Sequence, residues 1–271
     1  MHALPAVRRW RPTPLITATL ALHLGALGGL AAAPAWWGWV LAALALNHAA
    51  LTAAGLWPRS RLLGPNWTRL PAAAAARGEI ALTIDDGPDP EVTPQVLAQL
   101  AASGARATFF LIGENAARHP QLVADILRAG HEVQNHSQWH RKTFSLFGPR
   151  RMERDVAAAQ HTLAGLGAPL PRFFRAPAGL RNPFLEPVLA RHGLTLASWT
   201  RRAFDTREGE PAAVLARLTR ELGPGDILLL HDGHAARSPG GRAVILEVLP
   251  RLLDAVRTAG LHPVTLTAAL R

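Results

Sequence analysis

Hydrophobic and polar positions change rhythm twice along this 271-residue chain. Leu15 to Ala33 and Trp36 to Leu56 are apolar on all sides, and each is close to the roughly 20 residues that cross a bilayer. From Pro58 to Gly78 the pattern lapses, and Pro65, Pro71 and the alanines 72–76 read as a connector. From Glu79 onward, short apolar runs alternate with segments whose apolar residues recur at helical spacing. The runs Glu79–Ile84, Ala107–Ile112, Glu132–Asn135, Arg172–Arg175, Thr195–Trp199, Asp226–Leu230 and His262–Leu266 predict seven strands. The segments Pro94–Ala102, Gln121–Arg128, Arg151–Leu166, Pro183–Arg191, Pro211–Leu222 and Val244–Thr258 predict the helices between them. This alternation implies an α/β fold of parallel strands with helices outside, as an open sheet or a barrel. The expected division is 1–57, a membrane-associated hydrophobic segment; 58–78, a linker; and 79–271, the α/β domain.

Charge changes this picture less than its total suggests. The formal net charge is +10, a value that invites a nucleic-acid reading. Yet the first acidic residue is Glu79, and seven arginines precede it, leaving 22 basic against 19 acidic residues beyond. With no basic stripe interleaved with aromatics, nucleic-acid binding is not expected. The arginines instead bracket the apolar pair: Arg8, Arg9 and Arg11 before it, Arg59 and Arg61 after it, and none from Pro12 to Pro58. Trp36, Trp37, Trp39 and Trp57 stand where interfacial anchors belong. Two apolar runs argue against a cleaved signal peptide; a buried helical hairpin, suggested by Asn47-His48, is the bland alternative. The charge pattern predicts an inserted hairpin with both ends and the following domain on the cytoplasmic face. The extracytoplasmic face is the alternative, should one helix alone span.

The absence of cysteine removes disulfides, thiolate metal sites and cysteine nucleophiles together. No GxGxxG follows the first strand and no GxxxxGK[ST] occurs, so nucleotide-binding readings lose their usual support. What the chain does carry is polar chemistry at strand ends, the rim on which sites of such barrels sit. Asp85 and Asp86 follow the first strand, His136 and His140 the third, Arg175 the fourth; Asp205 lies beyond the fifth, and His231 follows the sixth. Two adjacent carboxylates repel and raise each other's pKa, so something must offset them. One Asp with two histidines four residues apart is a usual three-ligand set for Zn²⁺. A metal on one carboxylate leaves the other ionised as a general base, with Arg175 to fix it and His231 to supply a proton.

These residues, in order, resemble a family. Thr83-Ile84-Asp85-Asp86-Gly87-Pro88, His136-Ser137-x-x-His140, Arg175-Ala176-Pro177-Ala178-Gly179, Asp205 and Leu229-Leu230-His231 are similar to the motifs of polysaccharide deacetylases, the NodB-homology or carbohydrate esterase family 4 domain. The resemblance spans about Glu79 to Leu266 and implies a distorted seven-stranded (β/α) barrel, here preceded by the hydrophobic hairpin. It implies Asp85 as general base, Asp86, His136 and His140 as metal ligands, and His231 as general acid. It further implies Arg175 as the residue that orients the base, Asp205 as the one that tunes the acid, and a substrate pocket with Leu229, Pro177 and Ala178. The implied cofactor is a divalent metal, Zn²⁺ first, with Co²⁺ or Ni²⁺ as alternatives. The implied activity is removal of N-acyl groups, foremost N-acetyl, from an amino sugar of a polysaccharide or lipid-linked glycan. Deformylation of a polyprenyl-phosphate-linked amino sugar, O-acetyl ester hydrolysis and an inactive membrane-anchored glycan binder are the alternatives. Ala178, Arg141 and Thr206 depart from the residues usual in the family, and the expected groove is poorer in aromatic surfaces.

Overall fold

The computed structural model describes residues 8–271. Two helices open it, α1 (Pro14–Ala32) and α2 (Trp37–Leu56), joined by a 3₁₀ turn at Pro34–Trp36. Thr13 caps α1 by accepting the Ile16 N–H, and Pro14 occupies the first helical position, where its missing N–H costs nothing. Both helices are long and apolar enough to cross a membrane. Little of either is covered: Ile16 in α1 and Leu51, Ala54 and Gly55 in α2 are the buried residues.

The hairpin meets the rest of the molecule at its base. Ile16, Leu51, Ala54 and Leu63 form a small core, and the Arg181 N–H donates to Gly55 O at 3.2 Å. A Cβ on Gly55 would stand 2.2 Å from the Arg181 carbonyl oxygen, so this approach needs glycine. The segment 58–78, expected as a connector, is folded against the sheet. Leu63, Leu70 and Ala74 are buried, and α3 spans Ala72–Ala76. Trp67 donates to Leu196 O at 2.9 Å and accepts from the Ser198 N–H at 2.8 Å. Proline content marks the segment as irregular; it does not reveal that its apolar residues face a core.

The remainder is a curled parallel half-barrel. Its elements are β1 (Glu79–Asp85), α4 (Thr93–Ala102), β2 (Ala107–Leu111), α5 (Gly113–Arg118), α6 (Pro120–Arg128), β3 (Glu132–Asn135), α7 (Pro149–Gly165), β4 (Phe173–Phe174), α8 (Leu185–Arg191), β5 (Thr195–Leu196), β6 (Arg201–Arg202), α9 (Pro211–Thr219), β7 (Ile227–His231), α10 (Ile245–Thr258) and β8 (His262–Val264). The strand order is β5-β4-β3-β2-β1-β7-β6, with β8 paired to the start of β1. The sequence predicts seven strands and the described residues hold eight. The addition is β6, two arginines with no apolar signature that pair with Leu228 and Leu229. The curled sheet is the (β/α) barrel that the resemblance implies, with one strand more than the seven expected and with β5 and β6 at its edges.

Alternation along β1 sorts the two faces. Ile80, Leu82 and Ile84 enter the large core shared with α4 and α10, while Ala81 joins Phe110, Phe173, Trp199 and Leu229 in the barrel interior. Asp85 follows the interior set. Register then does the rest: Asp85 pairs with His231 across β1 and β7, and Leu111 with Asn135 across β2 and β3. Asn135 pairs in turn with Phe174 on β4, so His136 and Arg175 leave their strands side by side. Parallel pairing of short strands brings four polar side chains to one rim.

Candidate active site

Adjacent residues of a regular strand point to opposite faces, so two neighbouring aspartates should not share a cleft. Asp86 breaks the rule with φ 76°, which turns the chain and brings its carboxyl to the side of Asp85. A non-glycine residue in this region is strained, and Ser137 (φ 67°), His140 (φ 45°), Ala178 (φ 55°) and His234 (φ 57°) share the condition around the same cleft. The neighbouring loop holds Asp86 in place: Asn115 Nδ2 donates to its carbonyl at 3.0 Å.

The two carboxylates have different company. Asp85 Oδ1 accepts from Arg175 Nη1 at 2.7 Å. That guanidinium is fully buried, donates also to Thr83 Oγ1, Ala197 O and Ser198 O, and lies 4.1 Å from the Phe110 ring centroid. Arg175 is therefore fixed on every side and fixes Asp85 in turn. Burial pushes the Arg175 pKa down against the opposing pull of Asp85. Asp86 instead faces imidazoles: His136 Nε2 lies 3.1 Å and His140 Nε2 3.2 Å from its Oδ1. His234 Nδ1 lies 3.3 Å from its Oδ2.

The histidine pair sits on a loop, not on a helix face. His136 Nδ1 stands 2.9 Å from the Arg175 carbonyl, which can only accept, so Nδ1 carries a proton and the neutral ring has its Nε2 lone pair on the cleft side. The Ser137 hydroxyl accepts the His140 N–H, and Asp155 Oδ1 accepts the Gln138 N–H at 3.0 Å. One oxygen of Asp86 and the two Nε2 atoms lie within 4.8 Å of one another. Asp86 Oδ1 is buried without a hydrogen-bond donor, an expensive state unless a cation takes it. The donor set, one carboxylate and two imidazoles, fits a divalent ion and leaves positions open. Burial opposes the charge on Asp86, yet His136, His234 and His140 hold its carboxyl well below the usual range. The two histidines differ. Burial and the neighbouring His136 push His140 down to about 4, while Asp85 and Asp86 overcome burial and raise His136.

Across the cleft, His231 Nδ1 donates to Asp205 Oδ1 at 2.8 Å, and the His231 N–H reaches Asp205 Oδ2 at 2.8 Å. Both residues are buried. Burial disfavours the imidazolium, but Asp205, with Asp85 and Asp86 behind it, raises His231 to about 9. Beside it, burial raises Asp232 to about 7, even though Thr93 Oγ1 donates to it at 2.5 Å.

The cleft these residues surround is about 640 Å³, within the usual range for small-molecule sites. Leu229 and Ala178 line it; Pro177 is buried and does not. Trp139 and Trp199 also line it, so aromatic surface is present despite the departures at Ala178 and Thr206. Sequence reasoning missed Trp139, Arg202, Arg207 and the contact of His234 with Asp86. The proximity of His234 to His231 was its one signal.

Residues 72–197 match the family model described as polysaccharide deacetylase. The chain is 34% identical over 194 residues to a peptidoglycan-N-acetylglucosamine deacetylase of Bacillus cereus, covering 71% of this chain and 88% of that protein. The chain belongs to the polysaccharide deacetylase family. Another family member, a chitooligosaccharide deacetylase of Sinorhizobium fredii, is 35% identical over 198 residues, covering 70% and 91%. Among solved structures of the family, a family 4 carbohydrate esterase from Streptomyces lividans in complex with acetate superposes with a TM-score of 0.63. It is 33% identical, over 69% of this chain and 91% of that one.

Proposed function

We propose that this chain hydrolyses N-acyl groups, foremost N-acetyl, from amino sugars of a glycan, with a divalent ion held by Asp86, His136 and His140. The observation that carries the reading is the division of labour between adjacent carboxylates. Asp86 faces imidazoles with an oxygen left for a cation, and Asp85 is pinned by Arg175 beside His231. The names of the relatives, both deacetylases of N-acetylated sugars, support the same substrate class. Zn²⁺, or Co²⁺ or Ni²⁺ in its place, supplies Lewis acidity toward the acyl oxygen and toward water.

The remaining chemistry falls to side chains. Asp85 takes the proton of the attacking water through its free oxygen, its other oxygen being held by Arg175. Water oxygen bonds to the acyl carbon, the carbon–nitrogen bond breaks, and the amine leaves with a proton from His231. Leu229 and Ala178 bound the space for the acyl group. Asp205 keeps His231 charged until it is needed. The raised His231 pKa sets the sign of the pH dependence: the acid is loaded below about 9 and lost above it. Asp205→Asn removes the charge that sustains the imidazolium, so the alkaline limb of kcat should fall toward the ordinary histidine value of about 6.5. A pH–rate profile that keeps its alkaline limb in the variant contradicts this role.

The hairpin is the membrane anchor in this reading. Leu20, Leu24, Leu27, Leu41 and Leu46 are exposed along its length. Trp36, Trp37 and Trp39 mark one end, and Trp10 and Trp57 the other, as aromatic belts at two interfaces. Arg8, Arg9, Arg11, Arg59 and Arg61 flank the barrel end, a charge pattern that supports the cytoplasmic side for that end.

The direct test is acyl release from N-acetylated amino-sugar oligomers by the full chain supplied with Zn²⁺. Acetate should appear with Zn²⁺, and chelation should silence turnover. Undiminished release by verified metal-free protein overturns the metal assignment, and no release with any of the three metals overturns the activity.

A further inference from the structure

The catalytic cleft and the base of the hairpin are built on the same two loops. The loop after β3 gives Trp139, His140 and Lys142 to the cleft, then Ser145 and Leu146 to a second hollow. The loop after β4 does likewise, with Ala178 and Gly179 in the cleft and Arg181 to Phe184 in the hollow. This second space, about 610 Å³, is closed on its other side by Ile16, Leu20, Leu51 and Leu56 of α1 and α2. Its walls combine lipid-length helices with the outer faces of catalytic loops.

Close backbone approach fixes the two spaces together. A Cβ on Gly179 would come within 2.9 Å of Pro58 and 2.5 Å of Trp199. Pro58 follows directly on the Trp57 that ends α2, so a wall of the cleft begins where the hairpin stops. Exposed apolar side chains of the barrel point the same way. Leu146 is 80% and Phe184 47% exposed beside the hollow, and Trp139 is 42% exposed in the cleft. Cations flank this apolar rim: Arg141, Lys142, Arg150 and Arg151 are exposed on either side of Leu146 in the chain. Lys142, Arg202 and Arg207 line the cleft itself, and Arg202 Nε is buried there without an acceptor. A neutral polymer of N-acetylated sugars offers these cations hydrogen-bond acceptors but no opposite charge; an anionic headgroup offers both.

We infer that the substrate is an amino sugar carried on a lipid phosphate, its hydrocarbon chain in the hollow between hairpin and barrel and its sugar in the cleft. The inference rests on the deacylation reading above and narrows its substrate. The headgroup phosphate meets Lys142, which stands in the loop between the cleft residues and the hollow residues, and the acyl group lies against Leu229 and Ala178. The hairpin then serves as one wall of the substrate site as well as an anchor.

The test compares two probes on the full chain in lipid nanodiscs with Zn²⁺: an N-acetylglucosaminyl-phosphoryl-polyprenol and a water-soluble N-acetylglucosamine tetramer. The lipid-linked sugar should show a kcat/KM at least tenfold higher. Leu146→Glu and Phe184→Glu, both at exposed positions, should each lower that value tenfold or more while tetramer turnover stays within twofold. The retained tetramer turnover also reports that the variants are folded. Equal or better use of the tetramer by the unaltered chain overturns the inference, as does a lipid preference undiminished in both variants. Acyl release from neither probe overturns the deacylation reading itself, a distinct result.

Discussion

Asp85→Asn is expected to abolish turnover while leaving the metal bound and the fold intact. The substitution keeps the shape of the side chain and an oxygen that can accept from Arg175 Nη1, the contact now at 2.7 Å. It removes the ability to take a proton from water, and loss of a positioned general base costs about 10²–10⁴-fold in rate. The proposed metal ligands Asp86, His136 and His140 are untouched, so metal content by elemental analysis should match the unaltered chain. Stability is the competing explanation. Arg175 is buried and loses its carboxylate partner, and breaking such a pair costs on the order of 3–5 kcal/mol. Thr83 Oγ1, two carbonyls and the Phe110 ring remain around the guanidinium, which softens that cost. Thermal unfolding monitored by circular dichroism separates the effects. A folded, metal-loaded, inactive protein supports the base assignment, and a folded, metal-loaded protein with full turnover removes it.

Much of this site is legible in the sequence because its residues sit where strands end. Asp85 and His231 end apolar strands, Arg175 follows the apolar pair Phe173-Phe174, His136 follows the short strand β3, and parallel register gathers the four. What the sequence hides is conformation within the turns. Nothing in Asp85-Asp86 announces that Asp86 adopts φ 76°, yet that turn lets both carboxylates serve one cleft. His234 is silent for the same reason: a left-handed turn at φ 57° and contact with a residue 148 positions away decide its place. Pro177 errs in the other direction. It lies within a matching motif, but the tight turn at Ala178 leaves it buried while its neighbours line the cleft.

The fold is legible to a similar depth. Long apolar strands such as β1 and β7, buried along almost their full length, give a clear signal. β6 consists of Arg201 and Arg202 and takes its strand character from pairing with β7, which no local pattern encodes. Residues 58–78 fail for a related reason: their order comes from tertiary contacts with Leu196, Ser198 and Gly225. That segment also joins hairpin to barrel, and its proline-rich pattern does not reveal how closely the two are built together.

His136→Ala should lose metal and activity together, in contrast to the aspartate variant. His136 gives one of two imidazole nitrogens that face Asp86 Oδ1, at 3.1 Å, and a carboxylate with one remaining histidine is a poor site for Zn²⁺. The ring also donates from Nδ1 to the Arg175 carbonyl. Its removal leaves that buried acceptor unpaired, at about 1–3 kcal/mol. It also removes the imidazole whose Nε2 stands 3.8 Å from Asp85 and 3.1 Å from Asp86. The metal-free variant should therefore unfold more readily than the metal-free unaltered chain, and added Zn²⁺ should raise its melting temperature far less. His140→Ala tests the same ligand set with less structural cost, because that side chain is 22% exposed and bonds the protein through its backbone. Metal content should fall in both variants, and stability mainly in the first. Retained metal with retained acyl release in His136→Ala would place the ion elsewhere and return the two adjacent aspartates to an unexplained repulsion.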